Sequence, residues 1–143
     1  RRYRSGGLMP LHLTKVAFGA TSLSDLVSRI EARAHAGEVR MTTRYLPKRH
    51  SEIEGAGALY WIVRHQLIAR ARIKRFDPTP DGRMDIVLEA RVIPVRPTPR
   101  RAHQGWRYLE DADAPEDLGG LMAQEDDVLP AALISDLAEL ALI

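Results

Sequence analysis

The nineteen residues Ala58-Leu59-Tyr60-Trp61-Ile62-Val63-Arg64-His65-Gln66-Leu67-Ile68-Ala69-Arg70-Ala71-Arg72-Ile73-Lys74-Arg75-Phe76 contain neither glycine nor proline, and their reading decides the fold. As one long helix they would gather Leu59, Ile62, Val63, Leu67, Ala71 and Ile73 roughly on one side. As two strands they fit better. Tyr60-Trp61-Ile62-Val63 is rich in aromatic and β-branched residues, and Arg64-His65-Gln66 is a polar interruption. After it, Leu67, Ala69, Ala71 and Ile73 alternate with Ile68, Arg70, Arg72 and Lys74. Two strands is therefore the stronger reading, with one helix as its competitor.

Downstream, Asp77-Pro78-Thr79-Pro80-Asp81-Gly82 is a dense turn signal that joins two strands. The second begins near Arg83 and alternates Ile86, Leu88, Ala90 and Val92 with Val87, Glu89, Arg91 and Ile93. Pro94, Pro97 and Pro99 then predict an extended segment without ladder hydrogen bonds, running through Arg100-Arg101 to Trp106-Arg107-Tyr108. Upstream, residues 10–18 alternate at strand period. Thr21 or Ser22, with Asp25 after it, caps a helix whose apolar stripe is Leu23, Leu26, Val27, Ile30 and Ala34, with Gly37 past its end. Residues 39–46 read as a half-exposed strand. Residues 110–127 are acidic and weakly patterned, and residues 129–143 read as a short terminal helix.

These elements predict a single α+β domain over residues 9–143, with residues 1–8 as a tag or disordered extension. No apolar run is long enough for a helical membrane span. The chain has no cysteine, which excludes disulfides, zinc-thiolate sites and cysteine nucleophiles, and fits a cytoplasmic location. The net charge of +2 hides an asymmetry. Residues 1–107 hold all 21 basic and 9 of the 19 acidic residues, a balance of +12, while residues 108–143 hold the other ten acids. A basic body of this kind attracts polyanions, and the acidic segment either screens it or folds back onto it.

Recognisable catalytic signatures are absent: there is no Gly-x-Ser-x-Gly elbow, no His-Glu-x-x-His and no phosphate-cradling glycine loop. Gly55-Ala56-Gly57 reads as a turn into the Leu59 strand. The histidines show no ligand spacing, so neither a metal nor a cofactor is expected, and surface or turn positions account for four of the five. His103 stands apart because it adjoins Arg100, Arg101 and Trp106. As a strand, the 67–74 run would project Arg70, Arg72 and Lys74 from one face, either as a track for a phosphodiester chain or as a solvated, charge-guarded edge. Arg96, Arg100, Arg101 and Arg107 beside Trp106 and Tyr108 combine guanidinium forks with stacking rings, a combination suited to unpaired bases. Arg44, Lys48, Arg49, His103 and Gln104 extend this candidate surface.

The run Val92-Ile93-Pro94-Val95-Arg96-Pro97-Thr98-Pro99-Arg100-Arg101-Ala102-His103-Gln104-Gly105-Trp106-Arg107-Tyr108-Leu109, with Met9-Pro10-Leu11-His12-Leu13, Pro47-Lys48-Arg49 and Leu59-Tyr60-Trp61, resembles an alphaproteobacterial family, domain of unknown function family 1489 (DUF1489). The resemblance carries no activity with it. The pattern from Arg44 to Val92 also resembles the PUA-like barrels, including the ASCH and EVE types. That likeness implies a small, partly closed β-barrel with flanking helices and a cleft that takes RNA or a modified nucleotide. One ASCH branch is similar to amidohydrolases that act on a modified nucleoside through Lys, Thr and Glu. The matching stretch here is Arg40-Met41-Thr42-Thr43 with Glu89, and Arg40 departs from it, because a guanidinium stays protonated and cannot act as a base. The resulting expectation is a module that binds RNA or a modified nucleotide. The alternatives are a small amidohydrolase and a protein-interaction or homodimeric domain, whose contact would be the acidic segment and terminal helix.

Overall fold

Arg64 and His65 both adopt left-handed backbone, with φ of 52° and 63°, so the chain reverses in two residues and the runs on either side pair as a hairpin. The computed structural model describes residues 9–118. The elements follow in the order β1 (Leu11–Val16), α1 (Leu23–Arg33), β2 (Glu38–Thr43), β3 (Ala58–Val63), β4 (Gln66–Pro78), β5 (Met84–Glu89), β6 (Ile93–Pro99) and β7 (Trp106–Glu110). Short 3-10 turns lie at His50–Glu52 and Asp111–Asp113. The two-strand reading of residues 58–76 holds, and the single helix does not form.

The seven strands make one mixed sheet in the order β2-β5-β4-β3-β1-β7, with β6 also on β4. β1 runs parallel to β3 and antiparallel to β7, while the remaining pairs are antiparallel. The fold is α+β, and the sheet does not close, because β2 and β7 end it without pairing to each other. α1 is the α-helix among the described residues; the terminal helix expected over 129–143 and the extension over 1–8 lie outside them.

The helix forms where the capping residues predict. Ser22 is the N-cap, its hydroxyl accepting from the Asp25 N–H at 3.2 Å, and Asp25 reaches back to accept from the Thr21 N–H at 3.0 Å. Its stripe of Leu23, Leu26 and Ile30 is buried against one face of the sheet, where Leu11, Leu13, Leu59, Trp61, Ala69, Ala71 and Ile73 meet it. Each such aliphatic burial contributes about 1.5–3 kcal/mol. The other face carries a smaller cluster of Ala58, Tyr60, Ile62, Leu67, Val95 and Leu109. β3 is therefore covered on both sides, and all six of its residues are buried.

Four details differ from the sequence reading. The strand expected to run from Arg83 to Ile93 is two, β5 and β6, which lie successively along the same edge of β4: Leu88 opposes Ile73 and Ile93 opposes Arg70. The intervening residues bulge out, with Ala90 donating to the Gly37 carbonyl instead. The proline-rich segment is not ladder-free, since β6 pairs with β4. Pro94 turns its carbonyl to the Leu118 N–H on the opposite side, so its missing N–H falls on that side and the ladder to β4 loses nothing there. The strand expected over 39–46 stops at Thr43, because its partner β5 begins at Met84, directly opposite. Finally, Trp106 does not extend the proline segment but opens β7.

Candidate functional site

Period-two alternation sorts the candidate residues before any side chain is considered. In β7, Trp106 and Tyr108 oppose Lys15 and Leu13 and pack on the helix-bearing face, whereas Arg107 opposes Thr14 on the second face. The aromatic pair and Arg107 are thus separated by the thickness of the sheet.

On the second face, the chain leaves β6 at Pro99, and the Arg100 N–H donates to the His65 carbonyl at 2.9 Å. Residues 100–105 then cross the end of that face to reach β7. On the way, His103 Nε2 lies 2.8 Å from Thr14 Oγ1. Burial, followed by the positive charges of Arg107, Arg100 and Lys15, holds the His103 pKa below its ordinary value, although a contact with the Gln104 carbonyl opposes the shift. Arg100 Nε is buried with no hydrogen-bond partner among the described residues. Arg101, Gln104 and Arg107 are exposed beside them. Arg100 and Arg107, with Arg101 next in the chain, form a cationic cluster around the His103 ring, without a carboxylate partner among the described residues.

The other candidates are placed differently. Arg49 lies on the Trp106 face, bonded to Glu52 at 2.7 and 2.8 Å and to Glu110 at 3.2 Å, with its guanidinium 5.5 Å from the centre of the Tyr108 ring. The Glu52 and Glu110 hydrogen bonds raise its pKa further above the ordinary value. Its backbone N–H donates to the Tyr108 hydroxyl, so Arg49 and Tyr108 pin the loop after β2 onto β7. Trp106 packs edge-on against Tyr108 at 5.0 Å. Arg44 and Lys48 are exposed in that loop, and exposed Arg96 lies 3.7 Å from Glu116.

The Arg70, Arg72 and Lys74 row is neutralised along its length. Arg70 grips Asp117 with two bonds of 2.7 and 2.8 Å; Arg72 meets Glu89 and the Gly55 carbonyl; Lys74 meets Glu38 at 2.6 Å. It is a charge-compensated surface rather than an open phosphate track. The residues of the hydrolytic reading do not converge. Thr43 opposes Met84 and Glu89 opposes Glu38, at the two ends of the β2–β5 ladder, about 17 Å apart at 3.3 Å per residue. Arg40 and Thr42 both bond Asp85. Among the described residues, no three His, Asp or Glu side chains are grouped as a metal site would need.

Sequence reasoning missed His12, which belongs in the core and not at the surface. It is 5% exposed; the Ala58 N–H donates to its Nδ1 at 3.0 Å, leaving the ring proton on Nε2, 2.8 Å from Asp111 Oδ1. With Arg70–Asp117, this bond fastens residues 111–118 across the second face. The alternation of His12 with Leu11 and Leu13 gave the only local signal; the burial itself is created by residues a hundred positions away.

These features define an open-sheet α+β protein with a basic cluster that has no carboxylate partner among the described residues, beside a buried histidine–aspartate clasp. The chain belongs to the family described as protein of unknown function (DUF1489), whose model matches residues 13–143. No curated protein and no solved structure matches it. Among the described residues, no helix is long and apolar enough to cross a membrane.

Proposed function

We propose that the chain is a binding module for RNA or a modified nucleotide, with Arg100, Arg101, His103 and Arg107 receiving phosphate. A PUA-like organisation of the open sheet is part of this reading. One observation carries it: carboxylates lie within ion-pair distance of Arg49, Arg70, Arg72, Lys74 and Arg75, yet the 100–107 segment gathers three arginines and a histidine without one among the described residues. The buried, unpartnered Arg100 Nε is a donor that an anion would satisfy. Trp106 and Tyr108 take no part in this version of the site, since they stand on the opposite face.

Fluorescence polarisation with labelled single-stranded RNA, single-stranded DNA and duplexes, at low and near-physiological salt, tests the proposal. Arg100→Ala with Arg101→Ala is expected to weaken single-strand binding at least tenfold and to reduce the slope of log affinity against log salt by about 1.4, from roughly 0.7 per phosphate contact. Binding by the unaltered chain that vanishes at physiological salt for every polyanion, or an unchanged slope in a folded double variant, overturns it.

A further inference from the structure

A cavity lies on the helix-bearing face, between α1, the C-terminal end of β1 and Met41 of β2. Its volume is about 410 Å³, at the lower end of the range for small-molecule sites. Trp61 is buried at its floor, and Leu26, Ile30, Met41, Ala17 and Ala20 supply apolar wall. Phe18 stands at its rim, 69% exposed, an aromatic side chain left in water beside an apolar hollow.

The polar lining has one sign. Among the described residues, Lys15, Arg29 and Arg33 are its charged lining, and no acid lines it. Two of the three are engaged elsewhere: Arg29 bonds Asp25 and the Gly19 carbonyl, and Arg33 bonds the Arg40 carbonyl. Lys15 has no carboxylate partner among the described residues; its ammonium lies 5.9 Å from the Phe18 ring centre. Burial lowers its pKa, as expected for a charge removed from water without a counter-ion.

We infer that this cavity is a binding site for a small organic monoanion, with a ring-sized or short acyl body against Trp61, Leu26 and Ile30 and its carboxylate on Lys15. A body of that size displaces water from apolar wall, and the lysine supplies a compact point charge that a single carboxylate matches. Phe18 closes over the ligand from the rim. This site lies on the face opposite the proposed phosphate-binding cluster, and its acid-to-amide test does not rest on that reading.

Calorimetric titration of the full chain with 1-naphthoate and octanoate, and with their neutral amides, tests the inference. At least one acid is expected to bind about tenfold or more tightly than its amide, the worth of one charge-assisted hydrogen bond. Amide chemical shifts of Ala17, Ala20 and Met41 are expected to move with it. Lys15→Met is expected to remove the preference for the acid. Equal binding of acid and amide, binding that shifts resonances outside this lining, or no binding of either acid overturns the inference. The acid-to-amide comparison on the unaltered chain decides even if the variant fails to fold.

Discussion

Replacing Gly57 by alanine tests the packing of the sheet at its tightest point. The Gly57 backbone is anchored on both sides, its N–H donating to the Ile53 carbonyl at 2.7 Å and its carbonyl accepting from the Ile73 N–H at 2.9 Å. A Cβ built there would fall inside the contact radius of the Leu11 carbonyl oxygen, and would also lie 3.0 Å from the Leu11 carbonyl carbon and 3.3 Å from the Ile53 oxygen. All of these are main-chain atoms, so no side chain can swing aside. Relief requires the start of β1 to part from the 53–57 loop by roughly 1.5 Å, measured from the Leu11 oxygen to an ordinary contact distance. Overpacking of that kind costs about 1–3 kcal/mol, and one or two disrupted buried hydrogen bonds add about 1 kcal/mol each. The expected loss for Gly57→Ala is therefore about 2–5 kcal/mol, a large share of the roughly 5–15 kcal/mol that holds a domain together. Gly55 is the internal control: its φ is +75°, but nothing lies within 4 Å of an added Cβ. Gly55→Ala should cost only the left-handed backbone penalty of about 1–2 kcal/mol. Urea unfolding followed by the fluorescence of buried Trp61 measures both. A Gly57→Ala protein no less stable than Gly55→Ala would refute the reasoning.

The hairpin turn offers a gain in stability. Arg64 and His65 occupy left-handed positions that favour Asn and Gly, so Arg64→Asn with His65→Gly should raise the free energy of unfolding by roughly 1–2 kcal/mol, and a fall in the urea midpoint would contradict this. Glu38 sets a pH dependence: hydrogen bonds from Arg75 and then Lys74 hold its carboxyl at about 2, below the ordinary 4.5. Because the folded pKa is the lower one, its contribution is complete above about 4.5 and is lost as pH falls towards 2. Glu38→Gln should flatten the thermal midpoint over that window, and a profile parallel to that of the unaltered chain would show that Glu38 is not coupled to folding.

Local chemistry was legible in the sequence wherever neighbours along the chain decide the outcome. The Ser22 and Asp25 cap, the break at Arg64-His65 and the turn that follows Pro78, closed by Thr79 and Arg83, each carry their physical cause within a few residues. What the sequence could not show is which strand lies beside which. The alternation across Trp106-Arg107-Tyr108 is readable only once residues 106–110 are known to be a strand, and prolines immediately before it argued for irregular chain. Hence the candidate site appeared as one cluster of arginines and rings, whereas the pleat divides it between two faces. The Arg70 row shows the same limit in electrostatics: its partners Asp117, Glu89 and Glu38 come from three separate segments. The Lys15 cavity left no trace in the sequence, because its walls come from a strand end, a helix, β2 and β3.

The clasp between His12 and Asp111 spans 99 positions, and β1 needs β7 as well as β3 for its two edges. During synthesis, an early strand must therefore wait with one edge bare until residues 106–111 have left the ribosome. Long-range closure of this kind slows folding and makes it a late, all-or-none event. A nascent chain stalled before Trp106 presents an unpaired, apolar strand that can recruit another such chain, so the arrival of β7 marks the end of the interval in which this protein is most exposed to aggregation.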